Sequence, residues 1–246
     1  WVQRTGVLPI MLFLILKVWK QSQKDPIWIV VWLFNLLNEV TEHKLQKILK
    51  TSIKEGYLTP LVAVNGLSHS QGFLKFKTEF DSILTSQEIA VDLGTGGGLP
   101  GLVLSSLTNC KWVFVDRGKR RCEFLKWAVN ELDLMAKVTV IEEDAANFAH
   151  GVYRGKVKLV TARSFASPGI TAECAAPLLT SGGYLVVSEP PSNESRWPSS
   201  GLDKLGLKKD SRWQYKDASF QSLYLAASPD IRLPRRFSRI ENSPLF

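Results

Sequence analysis

One acid and four glycines in a single short stretch carry the clearest chemical signal in this sequence. Asp92 ends an apolar run, and Gly94, Gly96, Gly97 and Gly98 follow it at once. Glycines at such a turn permit positive φ angles and let a ligand approach the backbone closely. The stretch therefore predicts a cradle for a cofactor, placed directly after a strand.

Two classes of cofactor fit the spacing of this stretch. Gly96, Gly98 and Gly101 satisfy G-x-G-x-x-G, and Asp116 lies 20 residues after Gly96, where a ribose-binding acid belongs. An NAD(P)-dependent oxidoreductase is therefore compatible with the spacing, whereas a P-loop is excluded because no G-K-[ST] follows. The stretch also reads D-x-G-x-G-x-G from Asp92, which is similar to motif I of class I S-adenosylmethionine-dependent methyltransferases. A carboxylate ahead of the glycines favours a cationic cofactor with an amino group over a pyrophosphate.

The elements around the loop alternate between strands and helices from Glu88 onward. Such alternation predicts βαβ units, and with them a Rossmann-like, mostly parallel α/β sheet whose ligand lies at the carboxyl ends of the strands. A terminal antiparallel hairpin is expected in "RWQYKDASFQSLYLAA", with its turn near Ala218–Ser219. The short apolar runs predicted as parallel strands are Ile89–Leu93, Trp112–Val115, Val138–Ile141, Val157–Thr161 and Tyr184–Val187.

Upstream of the sheet the sequence has helical periodicity. Apolar spacing of three and four predicts one helix over Thr41–Gly56 and a second over Ser70–Leu84. The expected organisation is an apolar extension over residues 1–40, a helical part over 41–87 and the α/β domain over 88–246.

Composition narrows the function classes. The chain has 246 residues with 45% hydrophobic and 22% charged side chains, which is typical of a globular protein. Its net charge of +8 suits a polyanionic partner or simple solubility. The three cysteines and three histidines lack metal-ligand spacing, so we expect no metal site and no disulfide framework, in a reducing cytoplasm. The apolar runs Val7–Leu16 and Pro26–Leu37 fall short of the ~20 residues that span a bilayer, so membrane association is not expected.

Four stretches, taken in order, resemble one known family. They are "DLGTGGGLPGLVL", "VDRGKRRCEFLKWAVNELDL", "VTARSFASPGITAECAAPLLTSGGYLVVSEPP" and "LPRRFSRIENSPLF". Together they are similar to the glucose-inhibited division protein B family, whose members methylate N7 of a guanine in small-subunit ribosomal RNA. The resemblance covers about two thirds of the chain, from Glu88 to Phe246. It implies S-adenosylmethionine as cofactor, 16S rRNA or the small ribosomal subunit as partner, and a monomer in a bacterial cytoplasm.

The resemblance also assigns roles to single residues. Arg163 is the family arginine that faces the site, with a cofactor-binding and catalytic role. The cofactor contacts implied are Asp92, Gly94, Gly96, Gly98, Asp116, Asp144 and Ala145, and the RNA contacts are Lys119, Arg121, Arg235 and Arg236.

The chain departs from the family pattern in two places. Asp144–Ala146 stands where the family has Arg-Ala-Glu, and Glu241–Ser243 replaces a terminal lysine. A non-catalytic RNA-binding relative therefore stays an alternative.

The chemistry of the residues agrees with the resemblance. Guanine N7 carries a free lone pair and loses no proton before it attacks a methyl group, so alignment and electrostatics suffice. The sequence shows no histidine-centred catalytic arrangement and no Pro-Cys pair of the covalent pyrimidine mechanism.

Overall fold

The computed structural model describes residues 26–77, 80–190 and 195–246. The chain divides into two compact units, residues 1–44 and residues 45–246. Most of the predicted extension over residues 1–40 lies outside the described residues, and the predicted domain boundaries stay predictions. In the part of the chain that the structure describes, no helix combines the length and the apolar character that crossing a membrane requires.

The described helices surround one sheet. The α-helices are α1 (Pro26–Lys54), α2 (Pro60–Val64), α3 (Gly66–Gly72), α4 (Phe80–Ile83), α5 (Gly101–Leu107), α6 (Lys119–Glu131), α7 (Ala145–Phe148), α8 (Pro168–Ala175), α9 (Ser199–Asp203) and α10 (Phe237–Asn242), with 3₁₀ turns at Phe73–Phe76 and Ala176–Leu178. The strands are β1 (Ile89–Leu93), β2 (Lys111–Asp116), β3 (Val138–Glu142), β4 (Val157–Ala162), β5 (Leu179–Glu189), β6 (Leu207–Tyr215) and β7 (Ala218–Leu225).

The sheet confirms the predicted architecture. Its strand order is β3-β2-β1-β4-β5-β7-β6, in which the first five strands are parallel and β7 is antiparallel to both β5 and β6. The hairpin turn lies at Lys216–Asp217, since Tyr215 pairs with Ala218. The strand order reverses at β1, because β2 and β4 pair with it on opposite sides, so a crevice opens at the carboxyl ends of β1 and β4.

Two apolar layers cover the two faces of the sheet. Because side chains alternate along a strand, Val91 and Leu93 of β1 face one layer whereas Ala90 faces the other. The second layer also holds Trp112 and Phe114 of β2. Asp92 follows this alternation and lies on the same face of β1 as Ala90. Its side chain accepts a hydrogen bond from the Gly101 amide, which lies beside Phe114 in the second layer. The strand pattern thus fixes the direction of Asp92 before any ligand is considered.

The helical region before the sheet differs from prediction in one element. The helix predicted over Thr41–Gly56 lies within α1, and it buries Leu45 and Ile48 as expected. The single helix predicted over Ser70–Leu84 is wrong, because α3 ends at Gly72 and a 3₁₀ turn follows until extended Lys77. This 3₁₀ turn buries the side chains of Phe73, Leu74 and Phe76 together. The single apolar stripe of an α-helix would bury these three side chains less compactly.

Candidate functional site

A cavity of about 470 Å³ opens at the carboxyl ends of the central strands. Six residues predicted from the sequence line it: Gly94, Gly96, Asp116, Arg121, Asp144 and Ala145. Asp92, Gly98, Lys119, Arg163, Arg235 and Arg236 are not among its lining residues. The structure therefore brings half of the predicted set together around one space.

The glycine loop adopts the backbone that its composition predicts. Gly94, Gly96 and Gly98 have φ angles of +67°, +57° and +100°, which strongly favour glycine. Gly97 meets a different demand, because a Cβ there would lie 2.6 Å from both the Ser52 hydroxyl and Leu58. The Ser52 hydroxyl also donates to the Gly97 carbonyl at 3.0 Å. The end of α1 thus holds the loop against the sheet, an interaction that the sequence did not indicate.

Asp116 ends β2 and holds the wall of the cavity together. Its Oδ2 accepts a hydrogen bond from the Gly96 amide at 3.0 Å, and its Oδ1 accepts one from the Gly118 amide at 2.8 Å. Its side chain is 4% exposed, yet it lines the cavity. The predicted role of this carboxylate, to accept the ribose hydroxyls of a cofactor, stays a prediction.

Arg121 contacts Asp116 directly. Its Nε donates to Asp116 Oδ1 at 2.9 Å, and its Nη2 lies 2.7 Å from the same oxygen. Gly118 makes this approach possible, because a Cβ there would lie 2.8 Å from the guanidinium carbon. The bond to Asp116 raises the pKa of Arg121. The structure thus places Arg121 at the cavity, where the sequence had assigned it to RNA.

Asp92 is turned away from the cavity, into the second layer. Its Oδ1 accepts from the Thr161 hydroxyl at 2.8 Å, and its Oδ2 accepts from the Gly101 amide, the first residue of α5, at 3.1 Å. Burial raises the pKa of Asp92 to about 7, although both hydrogen bonds oppose that shift. Asp92 therefore fastens α5 to β1 and β4 beneath the glycine loop. Its predicted contact with a cofactor stays a prediction.

Arg163 follows β4 and lies near Asp92 and His69. Burial lowers the pKa of Arg163, and the charge of Asp92 opposes this. The pKa of His69 falls to about 4, through burial first and the charge of Arg163 second. His69 Nδ1 and Arg163 Nη1 are both buried without a hydrogen-bond partner among the residues that the structure describes. The predicted catalytic role of Arg163 stays a prediction.

Asp144 and Ala145 line the cavity beside Asp116. The Asp144 side chain also caps α7, since Oδ1 accepts from the Ala146 amide at 2.9 Å and from the Asn147 amide at 3.3 Å. The departure from the family pattern at these positions thus forms a helix N-cap of a favoured type.

The two predicted basic clusters differ in their surroundings. Lys119 and Arg236 are exposed, as an RNA contact requires. Arg235 instead binds Glu173 through Nε at 2.8 Å and Nη2 at 2.6 Å. Only Arg236 of the C-terminal pair therefore presents its charge freely to a partner.

Several cavity-lining residues were not predicted from the sequence, among them Tyr57, Glu143, Phe165, Phe237 and Glu241. Phe237 and Glu241 are four residues apart in α10, so they share one helix face, and this spacing was a usable signal. The guanidinium of Arg117 lies 5.8 Å from the centroid of the Phe237 ring. The Phe165 ring packs edge to face against the Phe237 ring, with their centroids 6.4 Å apart. Among the described residues no three His, Cys, Asp or Glu side chains come together as a metal site.

Solved structures share this fold. The chain is similar to a SAM-dependent methyltransferase from Aquifex aeolicus (TM-score 0.50, 16% identity, 72% of this chain and 98% of that one). It is also similar to Pyrococcus horikoshii TYW2 in complex with MeSAdo (TM-score 0.51, 10% identity, 65% and 64%). The sheet is thus that of the class I methyltransferase fold.

The family follows from sequence comparison. Residues 74–197, half of the chain, match the family model described as GidB, rRNA small subunit methyltransferase G, so the chain belongs to this family. The resemblance found in the sequence is confirmed. Ribosomal RNA small subunit methyltransferase G of Carboxydothermus hydrogenoformans is 33% identical over 131 residues, 52% of this chain and 55% of that protein. The Thermotoga petrophila protein of the same name is 35% identical over 103 residues, 42% and 44%. The chain spans about half the length of the curated relatives it matches.

Proposed function

We propose that this protein transfers a methyl group from S-adenosylmethionine to N7 of a guanine in 16S rRNA. The observation that carries the proposal is the cavity formed by Gly94, Gly96 and Asp116 in a chain of this family. The relatives named above are small-subunit rRNA methyltransferases, which supplies the substrate class. Such a substrate places the protein in the cytoplasm, and we expect it to act as a monomer.

The charges around the cavity fit this cofactor. Four acidic side chains and two arginines line it: Asp116, Glu143, Asp144, Glu241, Arg117 and Arg121. An excess of carboxylates favours a sulfonium with an amino group and disfavours a pyrophosphate. The same charges argue against the NAD(P) alternative that the glycine spacing left open. Gly94 and Gly96 supply a bare backbone for the cofactor's approach, and Asp116 supplies acceptors for its ribose.

The residues of the site supply alignment more than proton transfer. The cofactor supplies an electrophilic methyl group, and guanine N7 supplies a lone pair without deprotonation. Asp116 and the loop hold one reactant, while Arg163, which directly follows β4, orients the other. The exposed Lys119 and Arg236 bind phosphates of the RNA. This division requires no general base, and alignment accounts for the rate enhancement.

Methyl transfer to rRNA tests the proposal. Tritiated S-adenosylmethionine is incubated with the protein and either 16S rRNA or small subunits from a strain that lacks the modification. We expect labelled 7-methylguanosine after nuclease digestion, and a large loss of label with Asp116→Ala. Calorimetry should show binding of S-adenosylhomocysteine and none of NADH. Binding of S-adenosylhomocysteine without transfer to either RNA would instead favour the non-catalytic relative.

A further inference from the structure

The C-terminal segment, residues 230–246, is fastened to the domain at several points. Arg154 donates to the Leu233 carbonyl at 2.6 Å, and His150 Nε2 lies 2.8 Å from the Pro234 carbonyl oxygen. Ile240 is fully buried in the first apolar layer. The segment is thus an integral part of the folded unit, and it carries Arg235 and Arg236, which the sequence assigned to RNA.

The strongest of these fastenings is the ion pair between Arg235 and Glu173 of α8. Glu173 is fully buried, and its two oxygens accept from Arg235 Nε, Nη2 and the Arg235 backbone amide. The Arg235 side chain is 20% exposed. A planar guanidinium that meets a buried carboxylate through two parallel bonds fixes both position and orientation. The backbone bond adds a third restraint two residues before α10 begins.

What this clamp positions is the wall of the cavity. Two residues after Arg235, Phe237 begins α10, and Phe237 and Glu241 line the same cavity as Gly94, Gly96 and Asp116. Arg117, the residue next to Asp116, holds its guanidinium over the Phe237 ring. Arg117 therefore links the C-terminal segment to Asp116, the proposed ribose-binding acid.

We propose that the C-terminal segment is a wall of the cofactor site, and that Arg235 is a positioning residue that holds this wall through Glu173. This inference rests on the proposed cofactor. It changes the expectation for Arg235, because replacing this arginine should weaken cofactor binding more than RNA binding.

The test compares two adjacent arginines. Arg235→Ala should weaken S-adenosylhomocysteine binding about tenfold, the effect of about 1.4 kcal/mol, and raise the KM for S-adenosylmethionine more than it lowers kcat. Arg235→Lys should restore part of the affinity. Arg236→Ala, the matched control, should keep the wild-type affinity for S-adenosylhomocysteine. Hydrogen exchange in residues 233–246 should slow when S-adenosylhomocysteine binds to the wild-type protein.

Phe237→Ala covers the case in which Arg235→Ala does not fold, since it leaves no buried carboxylate unpaired. Weaker S-adenosylhomocysteine binding at an unchanged Tm supports the wall. The inference is overturned if Phe237→Ala binds S-adenosylhomocysteine as wild type does, or if Arg235→Ala and Arg236→Ala lose RNA affinity equally and cofactor affinity not at all. A wild-type protein that binds no S-adenosylhomocysteine would count against the proposed function itself, which keeps the two failures distinct.

Discussion

Asp92 and Asp116 end neighbouring parallel strands, yet they belong to different parts of the molecule. Asp116 lines the cavity and accepts bonds from two loop amides and Arg121. Asp92 is buried beneath the glycine loop, where it binds Gly101 and Thr161. Both were predicted to touch the cofactor. Position at the carboxyl edge of a sheet therefore does not fix the surroundings of a carboxylate, because the direction of its side chain decides whether it lines the cavity or enters the second layer.

The buried surroundings of Asp92 also change its ionisation. Asp92 has lost its hydration, and its pKa rises to about 7 for that reason first. A buried acid of this kind supports the fold best when it carries a proton. Asp116 contributes through the acceptors that it presents at the cavity.

The largest expected effect is on the stability of the Asp92 region. Because the folded-state pKa of Asp92 is raised, its contribution to stability is fully present below about pH 4 and is lost as pH rises toward 7. At roughly 1.4 kcal/mol per pKa unit, this loss amounts to a few kcal/mol. Asp92→Asn should remove this decline in urea unfolding measured from pH 4 to pH 7. Asp217→Asn, in the exposed hairpin turn, serves as the control.

His69 sharpens the same measurement, since its pKa is lowered to about 4. The unfolded chain binds the proton that folded His69 refuses, so this residue makes stability rise between about pH 4 and 6.5. The two trends oppose each other in the wild-type protein. His69→Gln should therefore steepen the decline, whereas Asp92→Asn should leave a rise. If the free energy of unfolding changed with pH in the same way in wild type and both variants, the pKa shifts attributed to the burial of Asp92 and His69 would be contradicted.

The next largest effect is on cofactor affinity, at Asp116. Asp116→Ala removes acceptors from the cavity and should weaken S-adenosylhomocysteine binding by about 1–3 kcal/mol in calorimetry. Glu142→Ala is the matched control, because Glu142 pairs with Asp116 in register but is absent from the cavity lining. Equal affinities of these two variants for S-adenosylhomocysteine would show that Asp116 does not bind the cofactor. Asp116 and Asp92 would then no longer differ in this respect.

The smallest effect concerns the residue that holds Asp116. Arg121→Gln should weaken S-adenosylhomocysteine binding by about 0.5–1 kcal/mol, since its side chain is 40% exposed and solvent screens the ion pair. Gly118→Ala should act in the same direction, because the new Cβ displaces the guanidinium. A gain in affinity would mean that Arg121 competes with the ribose.

Lys119→Gln provides the control for Arg121, because Lys119 is exposed at the start of the same helix. It should leave cofactor binding unchanged and lower the slope of log K against log salt for RNA by about 0.7. An unchanged slope would count against the predicted RNA contact of Lys119.

The sequence was sufficient where local patterns decide. Short apolar runs predicted all five parallel strands, and four glycines predicted a loop with positive φ angles, because backbone sterics act over a few residues. The place of the cavity followed from strand topology alone. The family was likewise evident from motifs that lie in order along the chain.

Tertiary structure decided which side chains meet. Ser52 reaches Gly97, Arg235 reaches Glu173, and Phe237 reaches the cavity only after the chain has folded. The helix predicted over Ser70–Leu84 was broken for the same reason, because burying three neighbouring apolar residues against the core outweighs a continuous helix. Spacing along the chain carries no information on such partners. The distances between them are set by packing in three dimensions, which places Arg235 against Glu173 and Phe237 at the cavity.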